Sequence, residues 1–227
     1  MSSNNGNKSE IDYANKQRQY QLVVLGVVSI LLGALCAFIC VVVYKLPMLS
    51  SISQSATTGV QAGMILPFGL GMMVLFAITY KSYCLSERII VILMGIGFAL
   101  VAMQPCYSSY LAHEPSVGLL GLPPKISDIV HLIGAAMGFG LMAVWIMFYF
   151  TKTDKTKIPT SEKLRRNAWY RFWGGGVFIS ILLLCLCFFV DFGPIGVFVA
   201  EELALFSMGM AVLVKGGAFF RDKHETS

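Results

Sequence analysis

Val197-Phe-Val-Ala-Glu201-Glu202-Leu-Ala-Leu-Phe-Ser-Met-Gly-Met-Ala-Val-Leu-Val-Lys215 is an apolar run long enough to cross a bilayer, with two adjacent carboxylates inside it. A carboxylate at membrane depth is costly, and it marks a functional site by default. Five further apolar runs precede this one, at about 20–44, 60–80, 89–104, 128–150 and 172–192, and the last run itself spans about 194–214. The chain therefore reads as all-α, a bundle of six transmembrane helices in one integral domain over 20–216. A polar leader, 1–19, is expected to lack fixed structure, and a charged tail, 217–227, closes the chain.

Composition agrees with that reading. The 227 residues are 56% hydrophobic and 13% charged, and the mean hydropathy is +0.73. Soluble domains are about 25% charged, so this is a membrane composition with no room for a large soluble domain. The net charge of +5 lies between the apolar runs, which points to topology and excludes a nucleic-acid footprint. Six spans place 15 basic residues on one side and only Lys45 and Lys125 on the other. The positive-inside rule then puts both termini in the cytoplasm of a multi-pass protein of the cell membrane.

The six cysteines read as small hydrophobes rather than a disulfide framework, because most lie within the runs. The polar leader and the length of the first run argue against a cleavable signal peptide. Small residues at Ser29, Gly33 and Ala37, and at Gly134 and Gly138, are spaced for close helix packing.

Under the six-span topology, polar residues gather at the outer end of the bundle. Gln104 ends the third run, Asp128 and His131 open the fourth, Asp191 closes the fifth, and Glu201 lies within the sixth. Asp128 and His131 are three apart and share a helical face. A polar pocket opening outward follows, with Glu201, His131, Gln104, Asp128 and Glu202 as its ligand-binding residues. Carboxylate and imidazole together suit a cation or a proton, and the same pair could ligate zinc. Glu201 and Glu202 are about 100° apart on a helix, so the two are not expected to face one pocket together; the structural alternative is that one pairs with a neighbouring helix and the other snorkels or stays protonated. The structural alternatives are a hydrogen-bonding role for His131 and a helix cap for Asp128. No HExxH, paired-histidine or CxxC motif is present, so no metal and no other cofactor is assigned. At the cytoplasmic interface Arg165, Arg166, Tyr170, Arg171 and Lys215 are expected as anchors able to hold anionic lipid headgroups.

Three pieces of the second half carry a resemblance. They are His131-Leu-Ile-Gly-Ala-Ala, Arg166-Asn-Ala-Trp-Tyr170-Arg171-Phe-Trp-Gly174, and Glu201-x-x-Ala204-Leu205-x-x-x-Gly209-x-x-x-Leu213-Val-Lys215-Gly216. Together they resemble a family of bacterial six-helix integral membrane proteins that has no assigned activity. The overall plan is also similar, more loosely, to the DRAM/Sfk-like six-helix group. The resemblance implies that His131, Tyr170, Arg171, Glu201 and Lys215 matter most. Trp173 and Glu202 depart from the family pattern.

The leading functional expectation is a protein that binds a lipid or a small solute or cation in the outward pocket, for transport or sensing. An intramembrane metal-dependent lipid hydrolase is the alternative from another class, and a non-catalytic assembly subunit is the third. The expected partners are membrane lipids and a second copy of the chain.

Overall fold

The structure, a computed structural model, describes residues 3–58, 61–153, 158–187, 189–190, 192–193 and 195–220. Among the described residues six α-helices follow one another: α1 Ser3–Ala37, α2 Ile65–Thr79, α3 Leu85–Met103, α4 Pro124–Val144, α5 Ser161–Leu186 and α6 Gly196–Lys215. Wide π-helical turns extend α1 through Phe38–Val43 and α4 through Trp145–Tyr149. Among the described residues five segments are long and apolar enough to cross a membrane, the architecture of a multi-pass membrane protein. The sixth, α2, has 15 residues and is apolar but shorter.

Each helix packs on its neighbour in sequence, and α6 closes the ring against α1. Without a hydrophobic drive between helices in lipid, such contacts depend on close backbone approach. At the α1–α6 seam Gly26 and Gly209 face each other, with the Gly26 carbonyl oxygen against Gly209. At the α3–α4 seam Gly97 of α3 lies between Gly134 and Gly138 of α4. The small-residue spacing at Gly134 and Gly138 thus corresponds to a real helix crossing.

Element boundaries differ from the sequence expectation, with α2 beginning later, at Ile65 rather than near 60, and two other helices much earlier. The first helix begins inside the polar leader, at Ser3 rather than near 20, and α5 begins at Ser161 rather than near 172. Polar helix-forming residues such as Lys, Gln and Arg extend a helix beyond the apolar run, so hydropathy marks only its embedded part. Thr160 caps α5 by accepting a hydrogen bond from the Lys163 N–H at 3.2 Å.

The end of the bundle that joins α2 to α3 is stitched by two adjacent residues. Arg88 donates to the carbonyl oxygens of Ala77, Ile78 and Tyr80, satisfying the open C-terminus of α2. Glu87 is 2% exposed and accepts from Trp145 Nε1 at 2.9 Å, Tyr80 Oη at 3.3 Å and the Tyr83 N–H at 2.7 Å. Trp145 in turn sits among Phe76, Tyr80 and Phe150, which joins α2 and the π-helical extension of α4 in one aromatic core. The Tyr80 hydroxyl is the donor in its bond to Glu87.

A Cβ added at Gly97 would fall 2.7 Å from the Gly134 carbonyl oxygen and closer still to the Gly138 nitrogen. Gly97→Ala should therefore destabilise the α3–α4 seam by about 1–3 kcal/mol, the usual range for overpacking. Gly71→Ala, at a helical position with open space around it, should be neutral or stabilising. Thermal unfolding of both variants in nanodiscs measures the difference.

Candidate functional site

The segment joining α1 to α2 does not loop over the surface but folds into the end of the ring. Leu49 and Ile52 are buried with the apolar core, while Ser51, Ser53, Ser55 and Thr57 are buried with them. Irregular backbone at this depth needs internal hydrogen bonds. Here the hydroxyl-rich sequence supplies them: Ser51 Oγ accepts from the Gln54 N–H, and Thr57 Oγ1 donates to the Gln54 carbonyl. The first turn of α6 joins in, because the Phe198 N–H, an orphan donor of the helix start, reaches the Ser50 carbonyl at 3.0 Å.

Glu201 meets this segment directly. Its Oε2 accepts from the Ile52 N–H at 2.5 Å, and its Oε1 lies 3.0 Å from Ser53 Oγ. The same Ser53 oxygen lies 3.1 Å from His131 Nε2. On its other side the His131 ring is held by Nδ1, 2.8 Å from the Gln104 carbonyl oxygen. Carboxylate, hydroxyl, imidazole and carbonyl thus form one chain running from α6 through the connector to α4 and the end of α3.

Gln104 lies at the centre of this end. It is 0% exposed, yet neither polar atom of its side-chain amide has a hydrogen-bond partner among the described residues. Such an orphaned amide costs about 1–3 kcal/mol and calls for an explanation. The connector from α3 to α4 lies over it. Gly118, at φ +70°, packs so near Gln104 Oε1 that a Cβ there would clash, and the Leu119 N–H bonds the Met103 carbonyl. Asp128 is half-buried and acts on this connector, accepting from the Tyr107 N–H at 2.7 Å. It therefore holds the loop that carries Gln104 and does not join the Glu201 chain or cap its own helix.

Glu202 turns away from its neighbour. Its side chain packs toward α1, where Gly33 leaves room for it, and its Oε2 is buried without a hydrogen-bond partner among the described residues. Asp191 lies outside the described residues. Among the described residues no three His, Cys, Asp or Glu side chains converge as a metal set. Cys106, beside Ser51 and the Glu201 carboxylate, has its thiol pushed up to about 12, chiefly by burial.

The basic residues of the opposite end separate into different roles. Arg165 lies over the Phe220 ring at 4.9 Å, Arg166 donates to the Phe220 carbonyl at 2.7 Å, and Arg171 is exposed. Lys215 places its ammonium over the Tyr83 and Phe150 rings, at 5.4 and 5.1 Å. Tyr170 corrects the expectation of an interfacial anchor. It is buried, with its ring edge-on to Phe150 at 5.2 Å, because the early start of α5 carries it inside the aromatic core.

Two buried groups escaped the sequence reading. Ser53 was hidden in a run that looked like a polar loop, although hydroxyls at Ser51, Ser53, Ser55 and Thr57 alternate regularly. Glu87 stands beside Arg88 in the short link between two apolar runs, where nothing in the sequence singles it out. No family model, curated protein or solved structure matches the chain.

Ser53→Ala removes the hydroxyl that both Glu201 and His131 use, leaving two buried polar groups without it. Unfolding should become easier by about 1–3 kcal/mol for each orphaned group. Ser50→Ala, whose hydroxyl is outside the chain of bonds, should change stability by less than about 0.5 kcal/mol.

Proposed function

We propose that this protein crosses the cell membrane six times with both termini in the cytoplasm, and binds a small polar ligand at the outer end of its bundle. The 15-to-2 partition of basic residues supports the orientation. The length of α2 supports the count: its 15 residues rise about 22 Å, and the 3₁₀ turn Gln61–Met64 before it adds about 8 Å. Together they match a hydrocarbon core of about 30 Å. The likeness to bacterial six-helix membrane proteins belongs to the same proposal.

The observation that carries the binding role is the Gln104 amide, wholly buried, orphaned at both atoms, beside the His131–Ser53–Glu201 chain. A purely structural site would hold an apolar side chain there, since an unmet amide in a core destabilises. A ligand with a donor and an acceptor, such as a lipid headgroup or a small polar solute, would satisfy both atoms. Transport or sensing would follow from that binding. A groove of about 520 Å³ between α1 and α2, lined by Tyr13, Tyr20 and Phe76 among others, is too apolar and too far along the chain's other end to share this role.

Gln104→Met keeps the volume and removes the orphaned amide. It should raise the unfolding midpoint while abolishing any small molecule that stays bound to the wild type in native mass spectrometry from nanodiscs. A wild type that carries no ligand, or a Gln104→Met variant that retains it, overturns the binding role. The orientation has its own test in Cys84, an exposed thiol between α2 and α3 whose hydrogen bond to Ser86 lowers its pKa. Lowering the pKa enlarges the reactive thiolate fraction at neutral pH, so Cys84 should be labelled first by a membrane-impermeant maleimide. Labelling should occur in inside-out vesicles and not in intact cells, whereas half-buried Cys106, with its thiol pKa pushed up, should react slowly from either side.

A further inference from the structure

The bonds around Ser53 fix how many protons this site must hold. A carbonyl oxygen can only accept, so the contact of His131 Nδ1 with the Gln104 carbonyl at 2.8 Å requires a proton on Nδ1. Two bridges remain, His131 Nε2 to Ser53 Oγ at 3.1 Å and Ser53 Oγ to Glu201 Oε1 at 3.0 Å. Each needs one proton, and the serine hydroxyl supplies only one. The second must come from Glu201 or from His131.

Two arrangements satisfy the count. In one, Glu201 Oε1–H donates to Ser53 Oγ and the serine hydroxyl donates to a neutral His131 Nε2. In the other, an imidazolium Nε2–H donates to Ser53 Oγ and the hydroxyl donates to a Glu201 carboxylate. The Ile52 N–H on Oε2 is compatible with both and directs any carboxyl proton to Oε1. The arrangements interconvert without net gain or loss: the Oε1–H bond breaks as Ser53 takes that proton, and the original hydroxyl proton passes to Nε2.

The surroundings choose between them. The charged and titratable groups acting here are Asp128 on His131, Cys106 beside Glu201, Cys36 and Cys40 on α1, and Glu202 on α6. All are acids or thiols, and no lysine or arginine acts on Glu201 or His131 among the described residues. A buried ion pair without further compensation is the costlier arrangement. We propose that Glu201, Ser53 and His131 form a single-proton site, with the proton resting on Glu201 and able to pass through the Ser53 hydroxyl to His131.

The site takes up and releases a proton whether or not a polar ligand binds at Gln104, so the two proposals fail separately. When the shared proton leaves, Ser53 can satisfy only one neighbour and turns to the carboxylate, and His131 Nε2 loses its donor. Protonation of Glu201 and the hydrogen bonding of His131 are therefore coupled through one oxygen.

Infrared difference spectra and ¹⁵N-histidine NMR of the full chain in nanodiscs test this. Glu201→Gln serves as reference, because its amide can donate to Ser53 and accept from Ile52 as the protonated acid does. At neutral pH the wild type should show a protonated-carboxyl stretch that Glu201→Gln lacks. His131, assigned with His131→Gln, should carry its proton on Nδ1. Raising the pH should remove the carboxyl band and shift His131 Nε2 with the same midpoint, and Glu201→Gln should abolish that shift. Absence of the carboxyl band overturns the proposal, as does an Nε2 shift that persists unchanged in Glu201→Gln.

Discussion

A carboxylate cannot be left alone among apolar helices, and the arrangement of this protein follows from meeting that demand at Glu201. The groups that meet it come from the connector between α1 and α2, which must sink into the ring to deliver the Ile52 N–H and the Ser53 hydroxyl. Sinking that connector buries its own backbone, which its serines and threonines satisfy locally. The first turn of α6 is held by the same segment through the bond from Phe198 to Ser50. One buried acid thus accounts for the fold of a stretch that composition alone would place at the surface.

The two ends of the bundle handle buried charge differently. Glu87 accepts from three donors, and Arg88 beside it donates to three carbonyls, so that pair is a structural joint. At the other end the Gln104 amide and one oxygen of Glu202 are buried with no hydrogen-bond partner among the described residues. Stability selects for saturated groups, and groups kept unsaturated in a packed interior belong where something else engages them. The Gln104 amide is set apart from other unpartnered buried atoms among the described residues, such as Ser82 Oγ, Asn167 Oδ1 and Trp169 Nε1, by lying beside the Glu201–Ser53–His131 chain.

Close helix approach is what makes both ends possible. Gly26 against Gly209, and Gly97 between Gly134 and Gly138, bring the α1–α6 and α3–α4 seams together. With the ring drawn in at these seams, the connector residues Ile52 and Ser53 can reach α6 and α4 in the same place. Gly33 has a second part, since the absence of a side chain there gives Glu202 its room beside α1.

Much of this was legible in the chain itself. The apolar runs and their charge flanks revealed an all-helical membrane protein, because burial in lipid demands long uninterrupted apolar segments. The spacing of Glu201 and Glu202 foretold that they would part, since helical geometry alone sets their directions. Helix ends were read short at Ser3 and Ser161, where polar helix formers continue past the apolar run. What no sequence pattern could state is that Ser53, 78 residues before His131 and 148 before Glu201, would stand between them. Nor could it state that Tyr170 would turn inward or that Glu87 would find three donors. Those pairings are long-range, fixed by how the helices cross and where a buried polar group finds its partner, and only the assembled bundle decides them.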